Sequence, residues 1–483
     1  MSILDIRTEL IKEFDLNPPD LEFANGFKSS KPMRGLLHSG PYDYEHSDKR
    51  LKREFRKIKI FCLYPKGESR IKKLLREIST LLVNGHDRRV YTDCDFPCFE
   101  TLFKTELIPP DSDDYYIYTS SSTEPRIDQI TANLAALPSD CKPIFLIGGR
   151  SHRSRKEQQI DYIFSKKIIS RNNLPSQFMS YFSLGGIQYG VLTKLEKKEN
   201  VGYSLWNIGL GIYGKVGGIA WTIPQVQTGQ SFSKGVDITI GLGFARLEEK
   251  DSINKFYIGC ASILDKDGRW IGAVHINPFF IPAETRRLVV PQEIMRSIIK
   301  NALRQARKDV KVGVALEKRT QISLAVHKRG YFHAEEVIGV REGISDIETE
   351  FSSNQLRKRI FYNLISVIKH QDIEVIDSLR SSKNFGVRLN TTNAILYTGR
   401  PERGIPPIRI TCDDLIEPYS YFENIQQIGT HINNLTLLHW QTTIPRSIKM
   451  PASLYFASRI AVLEVKGIKP PNGSPLLTTP WFI

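Results

Sequence analysis

A single lysine, Lys215, stands in the run IYGKVGGIAW (212–221), flanked by apolar residues and glycines, with no other charge in the run. Upstream, DYIFSKKIISRNNLPSQF (161–178) sets Tyr162 and Lys166 four residues apart, which puts both on one face of a helix. Gln177 follows a loop containing Asn172, Asn173 and Pro175. A tyrosine ring for stacking on a base, two compact ammonium groups and an amide donor would clamp a terminal phosphate and its nucleotide. Gly217 and Gly218 would allow close approach of backbone. The same residues also fit an ordinary surface of amphipathic helices, and spacing alone leaves both readings open.

The other chemistry-bearing residues point less sharply. Six cysteines at 62, 94, 98, 141, 260 and 412 are scattered, as reduced structural thiols are. Cys94 and Cys98 with His86 offer three candidate metal ligands but no fourth at a recognisable spacing.

The elements that must carry these residues change character along the chain. The first sixty residues are rich in Pro, Gly and Ser and read as an extended wrapping segment. The basic stretch KRLKREFRKIKIFCLY then alternates into a strand at 58–64, ESRIKKLLREISTLL has helical periodicity, and KPIFLIGG is a second apolar strand ending in glycines. Strand, helix and strand with a Gly turn predict a doubly wound α/β domain with its ligand at the strand ends. From about residue 235, longer strands take over. VDITIGLGFARL precedes KFYIGCASILDKDGRWIGAVHI, in which Asp267-Gly268 separates two alternating runs as in a hairpin. A helix fits EIMRSIIKNALRQARKD and a further strand QISLAVHKRG, an order compatible with a ribonuclease H-like α/β fold.

Composition bounds the function. The 483 residues are 41% hydrophobic and 25% charged, which is globular usage for two to four domains and excludes a disordered tail or a small disulfide scaffold. A formal charge of +15 favours a polyanionic partner. The start, MSILDIRTELIKEF, lacks the pattern of a signal peptide, and no run reaches the roughly 18 apolar residues of a membrane span. A soluble, cytoplasmic protein with no membrane partner is expected.

The run NIGLGIYGKVGGIAW (207–221), together with Tyr162, Lys166 and LPSQF, resembles the MID domain of Argonaute proteins. LGFAR, VHKRG and PRSIKMPASLYFASRIA resemble landmarks of the PIWI domain. The resemblance covers roughly 140–483. It implies a Rossmann-like MID domain followed by a ribonuclease H-like PIWI domain, with 1–57 as an extended N-terminal segment, 58–225 as MID and 226–483 as PIWI. It also implies that Tyr162, Lys166, Gln177 and Lys215 hold the 5′ phosphate of a small guide strand, most readily RNA. Arg446 then meets the guide backbone. A structural Mg2+ lies between that phosphate and the C-terminal carboxylate, here Ile483, drawn inward if Trp481 and Phe482 are buried.

The sequence departs from the family where PIWI domains cut. Two-metal cleavage needs carboxylates to hold both cations. The three positions that the resemblance assigns to metal ligands carry Gly243, Arg329 and Ser458. Asp237 is no substitute, since six residues along a strand is about 20 Å. The glutamate finger has no secure counterpart. An inactive PIWI domain is therefore expected, and with no room for separate N and PAZ domains the chain resembles a short prokaryotic Argonaute. That resemblance implies a complementary DNA or RNA target and a heterodimeric partner with an APAZ region, fused to a TIR, a sirtuin-like NAD-consuming or a nuclease effector. An autonomous guide-directed nuclease and a generic basic nucleic-acid scaffold are the alternatives.

Overall fold

The computed structural model describes residues 12–16, 19–48, 52–87, 94–118, 127–150, 155–171, 173–181, 183–184, 187–188, 190–198, 201–223, 236–247, 254–282, 287–352, 358–369, 385–398, 407–438, 450–468 and 479–482. The chain divides into two compact units. One comprises Glu22–Trp221 with the C-terminal residues from Lys466; the other comprises the N-terminal residues to Leu21, Thr222–His439 and Ile444–Val465. These units differ from the boundaries read from the sequence at both ends of the chain. Residues 22–57, expected as a separate extended segment, pack within the first unit and carry helix α1. The last residues also join the first unit and not the second.

Short elements come first: β1 (Lys12–Asp15), β2 (Leu21–Glu22), β3 (Lys28–Ser29) and α1 (Pro32–Ser39). The first unit is then built on β4 (Lys57–Pro65), α2 (Ser69–Asn84), α3 (Phe99–Phe103), β5 (Glu106–Ile108), β6 (Tyr115–Tyr118), α4 (Ile127–Ala135), β7 (Cys141–Gly148), α5 (Arg155–Arg171) and β8 (Ser176–Met179). β9 (Ser183–Leu184), β10 (Ile187–Gln188), α6 (Val191–Glu196) and α7 (Val201–Lys215) follow. Its sheet has the order β5-β4-β7-β8, with β6 also on β4, and every pairing is parallel. β4 and β7 are buried along most of their length, as strands covered on both faces must be. Phe61, Leu63, Phe145 and Ile147 from those strands form a core with Ile169 of α5. This is the doubly wound arrangement expected, and it brings α5 beside β8.

The second unit adds β11 (Ile238–Leu247), β12 (Asn254–Asp265), β13 (Trp270–Pro282), α8 (Gln292–Lys308), α9 (Val310–Lys318), β14 (Gln321–Arg329), α10 (Ala334–Phe351) and β15 (Arg359–Lys369). β16 (Phe385–Arg388), β17 (Asn393–Tyr397), β18 (Ile408–Thr411), α11 (Ile425–Leu435) and α12 (Ala452–Val465) complete it. The nine-stranded sheet runs β1-β16-β17-β18-β15-β14-β11-β12-β13. Within it β11, β12 and β13 form an antiparallel meander, whose second turn contains the expected Asp-Gly pair, and β14 and β15 lie parallel to β11. That third-second-first-fourth-fifth order is the ribonuclease H-like topology expected from the sequence. Among the described residues no helix is long and apolar enough to cross a membrane.

Candidate nucleic-acid interface

Strand β8 gathers the four residues singled out around Lys215. Lys166, 3% exposed on α5, donates from Nζ to the Ser176 carbonyl at 2.5 Å. Lys215, 1% exposed at the end of α7, donates to Gln177 Oε1. The half-buried Tyr162 ring meets Phe178 edge-on, with centroids 5.3 Å apart. Three consecutive β8 residues thus hold one clamp residue each or are one themselves. A buried ammonium must have its donors met to offset lost hydration. Two such cations directed to adjacent residues of one strand bring two ammonium groups to one corner, a donor type that suits a phosphate.

Gly211, Asp161 and Gly149 also shape this corner, of which the sequence reading marks only Gly149, as the end of a strand. A Cβ at Gly211 would lie 3.1 Å from Gln177 Oε1 and 4.0 Å from Lys215 Nζ, so the bare backbone there leaves the space in which amide and ammonium meet. The signal was available: Gly211 and Lys215 are four apart on α7 and share a face. Buried Asp161, next to Tyr162, accepts the Arg150 backbone N–H at 3.1 Å and fixes the turn after β7. A Cβ at Gly149 in that turn would reach 2.7 Å from the Phe178 ring. The C-terminal residues pack nearby. Thr479 lies 3.4 Å from where a Gly217 Cβ would be, and Trp481 and Phe482 are buried as anticipated.

The three positions of the second unit also converge. β11 and β14 pair in parallel through Leu242 and Lys328, so Gly243 and the exposed Arg329 are the next step of that register. α12 lies directly on β11. A Cβ on Gly243 would stand 2.2 Å from the Ala457 carbonyl carbon and from Ser458 N, and one on Gly241 would stand 2.3 Å from the Ser453 carbonyl carbon. Polar contacts fix both ends of the helix. Ser453 O accepts from Ser262 Oγ at 2.6 Å, Ser453 Oγ pairs with His327 Nδ1 at 2.8 Å, and Glu464 pairs with His275 Nδ1. Asp237 is committed elsewhere: it accepts from Ser323 N at 2.9 Å and from Arg319.

No family model and no curated protein matches the sequence. Solved structures do. Aa-Ago with externally bound siRNA aligns with a TM-score of 0.56 at 16% identity, over 97% of this chain and 56% of that one. A structure of A. aeolicus Argonaute gives 0.53 at 16% identity over 95% and 54%, and one of Aquifex aeolicus Argonaute gives 0.51 at 15% over 99% and 57%. The fold is that of Argonaute. At this identity the likeness concerns the fold, and the chain spans little more than half the length of the Argonautes it matches. The doubly wound and ribonuclease H-like units described above are the MID and PIWI folds of Argonaute expected from the sequence. Of the residues expected to serve an Argonaute guide site, Tyr162, Lys166, Gln177 and Lys215 come together at β8. Asn172, Arg446 and Ile483 lie outside the described residues. Cys94, Cys98 and His86 form no metal site, since among the described residues no cluster of three His, Cys, Asp or Glu could hold an ion.

Proposed function

We propose that this chain is the guide-binding, target-sensing subunit of a prokaryotic Argonaute defence system. The observation that carries the reading is the β8 corner, where Lys166 and Lys215 reach Ser176 and Gln177 and Tyr162 stands against Phe178. The 5′ phosphate of a small guide RNA binds between the two ammonium groups and the Gln177 amide. Its first base stacks on Tyr162. Pairing to a complementary DNA or RNA supplies the specificity, and the protein reads backbone and end chemistry. The formal charge of +15 supports a polyanionic ligand.

The pocket's own donor set, two ammonium groups and an amide, fits an anion and not a bare divalent cation. If Mg2+ accompanies the guide, it would neutralise phosphate charge, while Lys166, Lys215 and Gln177 would hold the phosphate itself. The protein's share of the affinity rests on the two lysines and Gln177.

In this reading the chain does not cut. Gly243, Arg329 and Ser458 supply no carboxylate, and the closeness of α12 to Gly243 leaves no space for one. Output then comes from a heterodimeric APAZ-containing effector, NAD-consuming or nucleolytic, whose active state binds the loaded chain more tightly. The deciding experiment compares binding of 5′-phosphorylated and 5′-hydroxyl guides of one sequence: a strong preference for the phosphate is expected, and equal affinities would refute the pocket. Guide-directed cleavage by the chain alone in Mg2+ or Mn2+ would refute the inactive assignment.

A further inference from the structure

The turn after Lys215 is held by a buried polar cluster in which Asp43 and Arg53, neither of them part of the phosphate corner, meet Tyr213. Asp43, 1% exposed, accepts the Tyr213 hydroxyl at 2.5 Å through Oδ1 and the Ile219 backbone N–H at 3.0 Å through Oδ2. Tyr213 is two residues before Lys215 and Ile219 four after it. One carboxylate therefore grips the chain on both sides of the lysine.

Arg53 closes the cluster. Its guanidinium donates to the Tyr213 hydroxyl at 2.7 Å, to the Phe103 carbonyl at 2.6 Å and to the Lys104 carbonyl. It lies 5.2 Å from the Tyr44 ring centre and 5.7 Å from that of Tyr213, so its charge is held by aromatic faces as well as by oxygens. Tyr213 is fully buried and stacks on Phe103 with centroids 4.8 Å apart. The returning backbone lies against its ring: a Cβ at Gly218 would be 2.4 Å from Tyr213 Cε1 and 2.5 Å from Cδ1. Helix ends fray unless their last carbonyls and the following turn are tied down. Here backbone N–H groups of Val216, Gly217 and Gly218 bond the carbonyls of Ile212, Gly214 and Tyr213, and the side-chain cluster adds a second hold on the turn after Lys215.

We propose that Asp43, Tyr213 and Arg53 are positioning residues for the phosphate corner, setting how well Lys215 discriminates a 5′-phosphorylated guide from an unphosphorylated one. The proposal rests on the guide-binding reading above. It assigns Asp43 and Arg53 a part in recognition through the geometry of α7, with no contact to the guide.

The test uses the full chain with Tyr213→Phe, which deletes the hydroxyl shared by Asp43 and Arg53 and keeps the ring, and with Asp43→Asn as a second, independent variant. The quantity read is the ratio of affinities for 5′-phosphorylated and 5′-hydroxyl guides, with thermal unfolding recorded beside it. The expected result is a ratio at least threefold lower in either variant that folds, with 5′-hydroxyl affinity unchanged within twofold. An unchanged ratio in a folded variant, or equal losses for both guides, would assign the cluster to stability alone and overturn the proposal. A wild-type ratio of one is a different failure: it removes the phosphate pocket itself, and the positioning role with it.

Discussion

Lys215 on α7 donates its ammonium to the side-chain oxygen of Gln177 on β8, joining a helix end to a strand 38 residues earlier in the chain. The amide oxygen is thereby turned toward the cation, and the amide nitrogen is left on the other side, 3.4 Å from the Phe178 carbonyl. The contact sets the orientation of both groups before any ligand arrives, which is how a binding site limits the ordering cost of association.

Replacing Lys166 and Lys215 together by Met keeps the apolar stems and deletes both charges. Charge-assisted contacts are worth about 1.5 to 3 kcal/mol each, and neighbouring contacts are not additive. Affinity for a 5′-phosphorylated guide should fall at least tenfold, and a 5′-hydroxyl guide should lose far less. Filter binding with both guides reads the difference, and parallel losses would remove the lysines from the pocket.

Gly211→Ala separates binding from stability. A Cβ there stands 3.1 Å from Gln177 Oε1, closer than comfortable packing, so the Gln177–Lys215 contact must yield by a few tenths of an ångström. Alanine is also worth about 0.5 to 1 kcal/mol over glycine inside a helix. The variant should melt no lower than wild type yet bind a phosphorylated guide more weakly. Undiminished guide affinity would show that Gln177 has room to spare.

Gly243→Asp should not restore cleavage, and it should damage the second unit. The added Cβ meets the carbonyl carbon of Ala457 and the nitrogen of Ser458 at 2.2 Å, and backbone cannot move aside as a side-chain tip can. Overpacking costs about 1 to 3 kcal/mol, and an unpaired buried carboxylate adds to that. Gly243→Ala isolates the steric part. Urea unfolding of both should show a lower midpoint, with Asp worse than Ala; a wild-type midpoint for Gly243→Asp would mean that α12 is free to shift.

The second unit also carries a pH dependence of known sign. His327 and His431 lie with ring centroids 5.3 Å apart, and burial lowers both below the ordinary 6.5, His431 to about 3. A histidine with a lowered folded pKa contributes full stability above 6.5 and loses it as pH falls, at about 1.4 kcal/mol per unit. Buried Asp414 acts oppositely, because burial raises it from 3.8 to about 6 and its contribution fades as pH rises through that range. His431→Phe removes one histidine from the balance. Between pH 4 and 6, urea-derived stability of the variant should therefore rise with pH less steeply than wild type by about 1.4 kcal/mol per unit. Parallel curves would contradict a neutral buried His431.

Much of this architecture was written in local pattern. β4, β7 and the β12–β13 hairpin follow from apolar runs and an Asp-Gly turn, and α2 and α8 from helical periodicity, because these signals depend on neighbours within a few residues. The spacing of Tyr162 and Lys166 likewise implied a shared helix face. Even so, the first sixty residues read as extended on their Pro, Gly and Ser content, whereas Pro32–Ser39 form α1 and Asp43 and Arg53 reach the end of α7. Composition reports local flexibility and says nothing of the partners that remove it.

By itself, the sequence determined the two α/β units, the basic character and the identities Gly243, Arg329 and Ser458 at the positions that the resemblance assigns to metal ligands. Only the tertiary structure decided that Lys166, Gln177 and Lys215 meet at one strand, that Gly211 leaves the space for their contact, and that Gly243 serves the close packing of α12. The reason is distance along the chain. A side-chain contact across 38 residues, or a helix laid on a strand some 200 positions earlier, depends on how sheets and helices stack, and no local periodicity encodes that.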